Sequence, residues 1–145
     1  QVRRSSRSVR VVLVLMLSAG TSTAGLQAQG PAGGVVRAGD ARISGEGTPV
    51  TRIDQQSERA VIDWRSFGIG SGDQVIFTQP SAAAATLNRV TGDQVSVILG
   101  RLDANGQVLL VNPNGVVFGG GAQVNVGSLV ATPSSIETGA FMAGR

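Results

Sequence analysis

Residues 111–127 read VNPNGVVFGGGAQVNVG, and the architecture of the whole chain hinges on them. Two runs rich in β-branched residues flank Asn112-Pro113-Asn114-Gly115, and Val-Asn-Val comes after at 124–126. Pro113 holds φ near about −65°, which suits the second position of a β-turn. Asn114 tolerates φ > 0, and Gly115 lets the chain enter the next strand without a Cβ clash. The local expectation is strand, tight turn, strand, with the positive φ at Asn114.

On either side of this turn, short β-type segments separated by Gly, Asp, Asn or Pro run from Val35 onward. They are VVRA, ARIS, PVTRIDQ, AVIDWRSF, DQVIFTQ, ATLNRV, SVILGRL, QVLLVN, GVVFG and AQVNVGSLVAT. Alternation is clear in TRIDQ and QVIF, whereas VLLV is a continuous apolar run that suggests burial on both faces. No window of eleven or more residues supports an amphipathic helix. SAAAATLN has helical propensity, but Pro80 before it and Thr86-Leu87 after it leave little room. The chain reads as all-β.

Of the 21 glycines, all but Gly20 lie beyond the first 24 residues, at short irregular intervals. That density exceeds the usual ~7% and suits a chain that turns a corner every few residues. Asn105, Asn112, Asn114 and Asn125 recur beside turns, as corner asparagines stacking along a β-solenoid axis would. One Trp and four Phe make a thin aromatic core for an immunoglobulin-like sandwich. The pattern favours a solenoid and leaves a sandwich or barrel open.

The net charge of +3 is unevenly placed. Arg3, Arg4, Arg7 and Arg10 precede the apolar run Val11 to Ala19, which leaves eight arginines against nine acids elsewhere. The basic character therefore belongs to the leader, and nucleic acid is not an expected partner. A charged start, a short apolar run and small residues after it describe a secretory signal peptide. The apolar run is too short to span about 30 Å of hydrocarbon. Ser22-Thr23-Ala24 places cleavage after Ala24, with Ala28 as the alternative. Residues 1–24 are thus expected to be a signal peptide, 25–34 a short linker and 35–145 the folded domain. With Gln at position 1, the chain is expected to lack its true start.

The chain has no Cys and no His. It has no disulfide framework, so burial and backbone hydrogen bonds must hold it together. Serine–histidine and cysteine–histidine mechanisms have no base, and a His or Cys zinc site is impossible. Lys is also absent, which removes the P-loop and Schiff-base chemistries. Only carboxylate chemistry remains. Asp54, Asp63 and Asp73 could serve a polysaccharide-cleaving β-helix, but such enzymes need two carboxyls converging around a substrate. Asp73 sits in a turn signature, and the other two have no identifiable partner. GIGSGD and FGGGAQ look like phosphate loops, yet neither fits G-x-G-x-x-G and no helix comes after them. Trp64 and Phe67 are expected to fill the interior rather than form a carbohydrate-stacking platform.

LNRVTG (87–92), ANG (104–106), NPNG (112–115) and VNVGSLVAT (124–132) stand in an order and spacing that resemble the filamentous-haemagglutinin-type secretion domain. That domain is the N-terminal module of exoproteins exported by two-partner secretion, and the likeness runs from about Gly34 to Thr132. The resemblance implies a right-handed parallel β-helix with an N-terminal cap, incomplete at its C-terminal end. It assigns the secretion motif to Asn112, Pro113, Asn114 and Gly115. Leu87, Asn88, Arg89, Val90, Asn105, Gly106, Asn125 and Gly127 form the supporting pattern. Ser128 stands where the family usually has a second glycine, and no second motif of the Asn-Pro-Asn-Leu type is found.

The function so implied is recognition in the periplasm by a cognate outer-membrane pore, after delivery by the inner-membrane secretion machinery. The product is expected to be secreted or displayed at the cell surface, and to be neither an enzyme nor a cofactor protein. A host-cell ligand is expected through a passenger beyond Arg145; the alternative is an adhesin domain that binds a host glycan or protein itself. Some relatives bind haem or haem carriers, but no His, Cys or Tyr ligand is present, and Met142 is the one thioether after the leader.

Overall fold

The computed structural model describes residues 3–4, 10–13 and 30–144. Two N-terminal strands, β1 (Arg3–Arg4) and β2 (Arg10–Leu13), are followed by β3 (Val35–Ala38), β4 (Ala41–Ser44), β5 (Val50–Gln55) and β6 (Arg59–Trp64). Next come β7 (Gln74–Thr78), β8 (Ala85–Val90), β9 (Ser96–Ile98), β10 (Arg101–Ala104), β11 (Gln107–Val111) and β12 (Val116–Phe118). β13 (Gln123–Asn125), β14 (Ser128–Thr132) and the short helix α1 (Thr138–Met142) complete the described chain. The expected signal cleavage site at Ala24 lies outside the described residues.

The strands wind into a parallel β-solenoid of about 4 turns. One sheet has the order β4-β5-β7-β10-β13-β1, and a second has β3-β6-β8-β11-β14-β2. A third, two-stranded sheet pairs β9 with β12. Pairing is parallel from β5 and β6 onward, because each strand meets the equivalent strand one coil later. At the N-terminal end β4 and β3 pair antiparallel with β5 and β6. These two strands are the expected cap: one on each sheet, they satisfy the first coil's edges without propagating the helix.

Period-two alternation aims the side chains. In β5, Thr51, Ile53 and Gln55 are buried while Arg52 and Asp54 are exposed. Parallel register then stacks like on like, so Thr51, Val75, Leu102 and Val124 form one interior row. Ile62, Asn88, Leu110 and Ala131 form another. Trp64 and Phe67 lie inside the first coil with ring centroids 5.4 Å apart, edge to face. They fill the core, as expected.

The Val108–Val111 run has both faces covered. Val108 and Leu110 point into the solenoid. Leu109 and Val111 join Val61 and Leu87 on the outer face of the second sheet, where Ile136, Phe141 and Met142 lie over them. After Thr132 the chain therefore leaves the solenoid and folds back across this face as a strap. Arg59 stacks 5.3 Å from the Phe141 ring, and the Arg89 guanidinium donates to Thr138 Oγ1 at 2.7 Å and to the Ile136 carbonyl at 3.4 Å. α1 itself has only five residues, little more than one turn, so its sequence carries no readable helical period.

Two expected segments are each divided in two. SVILGRL becomes β9 and β10, broken at Gly100, and AQVNVGSLVAT becomes β13 and β14, broken at Gly127. A Cβ at Gly100 would collide with the carbonyls of Gly70 and Asp73 on the preceding coil. One at Gly127 would sit 2.8 Å from the Gly106 carbonyl oxygen. These glycines are solenoid corners where coil approaches coil too closely for any side chain.

Candidate functional site

Asn112-Pro113-Asn114-Gly115 forms the corner between β11 and β12. The Gly115 N–H donates to the Asn112 carbonyl at 2.9 Å, which closes a β-turn with Pro113 second and Gly115 fourth. The positive φ expected at Asn114 is absent, and Gly115 carries it at 105°. With φ negative at its third residue the turn is type I, a form that takes Asn first, Pro second and Gly fourth without strain. The backbone inverts at the one residue that has no Cβ.

Asn112 is fully buried. Its N–H donates to the Thr132 carbonyl at 3.0 Å, on the following coil. Its Nδ2 donates to the Gln94 carbonyl and to Ser96 Oγ, both at 2.9 Å, on the preceding coil. Its Oδ1 accepts from the Asn114 N–H at 2.9 Å and from Asn114 Nδ2 at 3.0 Å. One residue thus clamps three coils, and all of its side-chain polar atoms are matched. Asn114 Nδ2 also donates to the Gly92 carbonyl at 2.8 Å, while Pro113 and Asn114 stay exposed at the apex.

The supporting residues spread through the solenoid rather than gather here. Along β8 the alternation assigns each a direction. Leu87 faces out beneath the strap. Asn88 faces in, where its Oδ1 accepts from Trp64 Nε1 at 2.9 Å and its Nδ2 donates to the Leu109 carbonyl at 3.1 Å. Arg89 faces out again, 2.7 Å from Asp63, and Val90 returns to the core. Gly92, just beyond this strand, has no room for a Cβ against the Arg65 carbonyl.

Asn105, Gly106 and Gly127 form a second corner, between the two large sheets. Asn105 grips the backbone of Gln79 from both sides, accepting from its N–H and donating to its carbonyl, each at 2.7 Å. The Gly106 N–H donates to Gln79 Oε1 at 2.8 Å, and the Gly127 N–H donates to the Gly106 carbonyl at 2.8 Å. Asn125 lies on the outer face of the first sheet, donating to Asp103 Oδ1 at 3.4 Å. Gln74 and Arg101 reach the same carboxylate at 2.6 and 3.0 Å. The expected stack of asparagines on successive coils is therefore not what links this corner.

A buried polar ladder does that instead. Gln79 Nε2 donates to Thr86 Oγ1 at 3.0 Å and to the Gln107 carbonyl at 2.8 Å, and Thr86 donates to Gln55 Oε1. Gln55 Nε2 in turn reaches the carbonyls of Ser57 and Ala85 at 2.7 and 3.1 Å. The signal was in TRIDQ and VIFTQ: each segment closes on a Gln, at the end of β5 and just past β7, at the parity of its buried apolar residues.

The three candidate carboxylates stand apart in role. Asp54 is exposed on β5, Asp73 closes a turn by donating its N–H to the Gly70 carbonyl, and Asp63 is held between Arg37 and Arg89. A recess of about 610 Å³ at the cap is lined by Pro31, Glu46, Arg65 and Asp73, away from both motif corners. The motif corner is an exposed apex fastened to the coils on either side by backbone and amide hydrogen bonds.

A family model described as the TPS secretion domain matches residues 24–145. A heme/hemopexin-binding protein of Haemophilus influenzae is 47% identical over 107 residues, which is 74% of this chain and 12% of that protein. Another heme/hemopexin-binding protein from the same organism is 49% identical over 85 residues, 59% of this chain and 9% of its own length. The crystal structure of the HMW1 secretion domain from Haemophilus influenzae superposes with a TM-score of 0.73 at 36% identity, over 79% of this chain and 30% of that one. The chain thus spans a small part of its relatives. In fold and in sequence, the chain belongs to the TPS secretion-domain family.

Proposed function

We propose that this domain is the N-terminal address of a larger exoprotein, read in the periplasm by a cognate outer-membrane transporter that then threads the polypeptide to the surface. The observation that carries this reading is the Asn112–Gly115 corner. Asn112 ties three coils together from a fully buried position, while Pro113 and Asn114 project at the apex. A pre-ordered, backbone-saturated turn can be recognised at little entropic cost, because binding does not have to order it.

Residues 1–24 act in this reading as the export signal, removed after Ala24, so that the inner-membrane secretion machinery delivers the domain. The family match beginning at residue 24 supports that boundary. No enzymatic step is assigned. We assign host-ligand binding to passenger sequence, a reading supported by the chain spanning only 12% and 9% of the two heme/hemopexin-binding relatives.

The test is secretion of the whole exoprotein in cells that carry its transporter. Asn112→Ala or Asn114→Ala should leave periplasmic delivery intact and strongly reduce the protein in the medium. Normal secretion by both variants would remove the corner from recognition.

A further inference from the structure

We propose that Asn114–Gly115 is a deamidation site that the fold itself gates. Asn-Gly occurs twice in the chain, at 105–106 and 114–115, and both asparagines are exposed. In an Asn-Gly pair nothing on the glycine hinders attack by its backbone nitrogen on the asparagine side-chain carbonyl. The Gly115 nitrogen, losing its proton, forms a bond to Asn114 Cγ, and the Cγ–Nδ2 bond breaks to release ammonia. Water then opens the resulting succinimide at either carbonyl, leaving aspartate or isoaspartate.

In the folded chain both nucleophilic nitrogens are engaged as hydrogen-bond donors. The Gly115 N–H is held by the Asn112 carbonyl at 2.9 Å, and the Gly106 N–H by Gln79 Oε1 at 2.8 Å. The two sites are not equally protected. Both glycines are buried, but both polar atoms of the Asn105 side chain are pinned to the Gln79 backbone, whereas Asn114 is held through Nδ2 alone. Asn114 sits at an exposed turn apex whose side-chain bonds reach only Gly92 and its own turn. Reaction at either pair requires local opening, and the apex opens more readily.

The consequence at the corner is electrostatic. Asn114 Nδ2 donates to two oxygens, Gly92 O at 2.8 Å and Asn112 Oδ1 at 3.0 Å. Deamidation puts a carboxylate oxygen in place of that donor, facing two acceptors, so both bonds are lost and replaced by repulsion. Chain that lingers unfolded would therefore mark itself covalently at this corner. The chemistry is independent of what the corner does in export.

The full chain, aged at mildly alkaline pH either folded or in urea, gives the test, with peptide mass spectrometry reading deamidation at each pair. In urea both pairs should react at similar rates. Folded, both should slow by about tenfold or more, with Asn114 ahead of Asn105. Asn114→Asp should also unfold at lower urea than the parent. Equal folded and unfolded rates, Asn105 reacting first, or an Asn114→Asp variant as stable as the parent would each overturn the proposal.

Discussion

Asn114 Nδ2 donates to the Gly92 carbonyl at 2.8 Å, so the turn of one coil is fastened to the glycine that closes Leu-Asn-Arg-Val-Thr-Gly on the coil before it. Two sequence motifs more than a strand apart are one structural unit. Gly92 has its own constraint, since a Cβ there would strike the Arg65 carbonyl. The unit thus extends from the first complete coil to the Asn112 clamp on Thr132.

Asn112→Ala should destabilise the folded chain by roughly 2–4 kcal/mol, because the Gln94 carbonyl, Ser96 Oγ and the Asn114 N–H lose a buried partner together. Asn114→Ala should cost less, about 1 kcal/mol, since its side chain is exposed. Urea unfolding of both variants checks the order, and equal losses would show that burial of Asn112 does not set the energy.

Gly127→Ala should cost about 1–3 kcal/mol, as its Cβ would press on the Gly106 carbonyl oxygen at 2.8 Å. Gly120→Ala is the control: no atom lies within 4 Å of its added Cβ, and its φ is not positive. It should be neutral or slightly stabilising through the unfolded chain. A melt in which the two variants behave alike would contradict the corner assignment of Gly127.

Trp64→Phe keeps the ring in the core but leaves Asn88 Oδ1 without its donor in the solenoid interior. A loss of about 1–3 kcal/mol is expected. Asn88→Ala should cost a similar amount, and the double variant less than the two together, because they share one bond. Strict additivity in the double-mutant cycle would mean that the 2.9 Å contact contributes nothing.

Phe141→Ala should loosen the strap by removing the side chain wedged over Val61, Leu87 and Val111 and stacked on Arg59. A cost of about 2–4 kcal/mol is expected, near the lower part of the range for a buried Phe because the strap can shift. Limited proteolysis should then cut between Pro133 and Gly144 before the solenoid is attacked. Unchanged cleavage there would show that the strap is held by Arg89 alone.

β1 and β2 pair in parallel with the outer edges of β13 and β14. A chain starting at Gly25 and ending at Arg145 lacks those strands, and its bare edges can template other chains. It should aggregate or melt broadly, whereas the full chain 1–145, which keeps β1 and β2 on those edges, should yield a monomer with a sharper melt. Size-exclusion and circular dichroism on the two decide it; equal behaviour would show that the edges need no cover.

Local sterics and alternation let neighbouring residues settle part of this molecule with no help from the rest of it. Pro113 and Gly115 bracket a turn whatever surrounds them, VVRA, ARIS and ATLNRV coincide with β3, β4 and β8, and the inward parity of Trp64 follows from its strand. Other features depend on a residue one coil away and came only with the assembled solenoid. Gly100 and Gly127 break apparent strands because the carbonyls they would strike, at Gly70 and Gly106, arrive from the preceding turn. Leu109 and Val111 are covered because a segment beginning after Thr132 folds back over them. The choice of Gly115 over Asn114 for the inverted φ follows from Asn114 being bound to Gly92 and Asn112 at once. Such contacts join positions whose spacing changes from coil to coil, so no local pattern in one sequence encodes them.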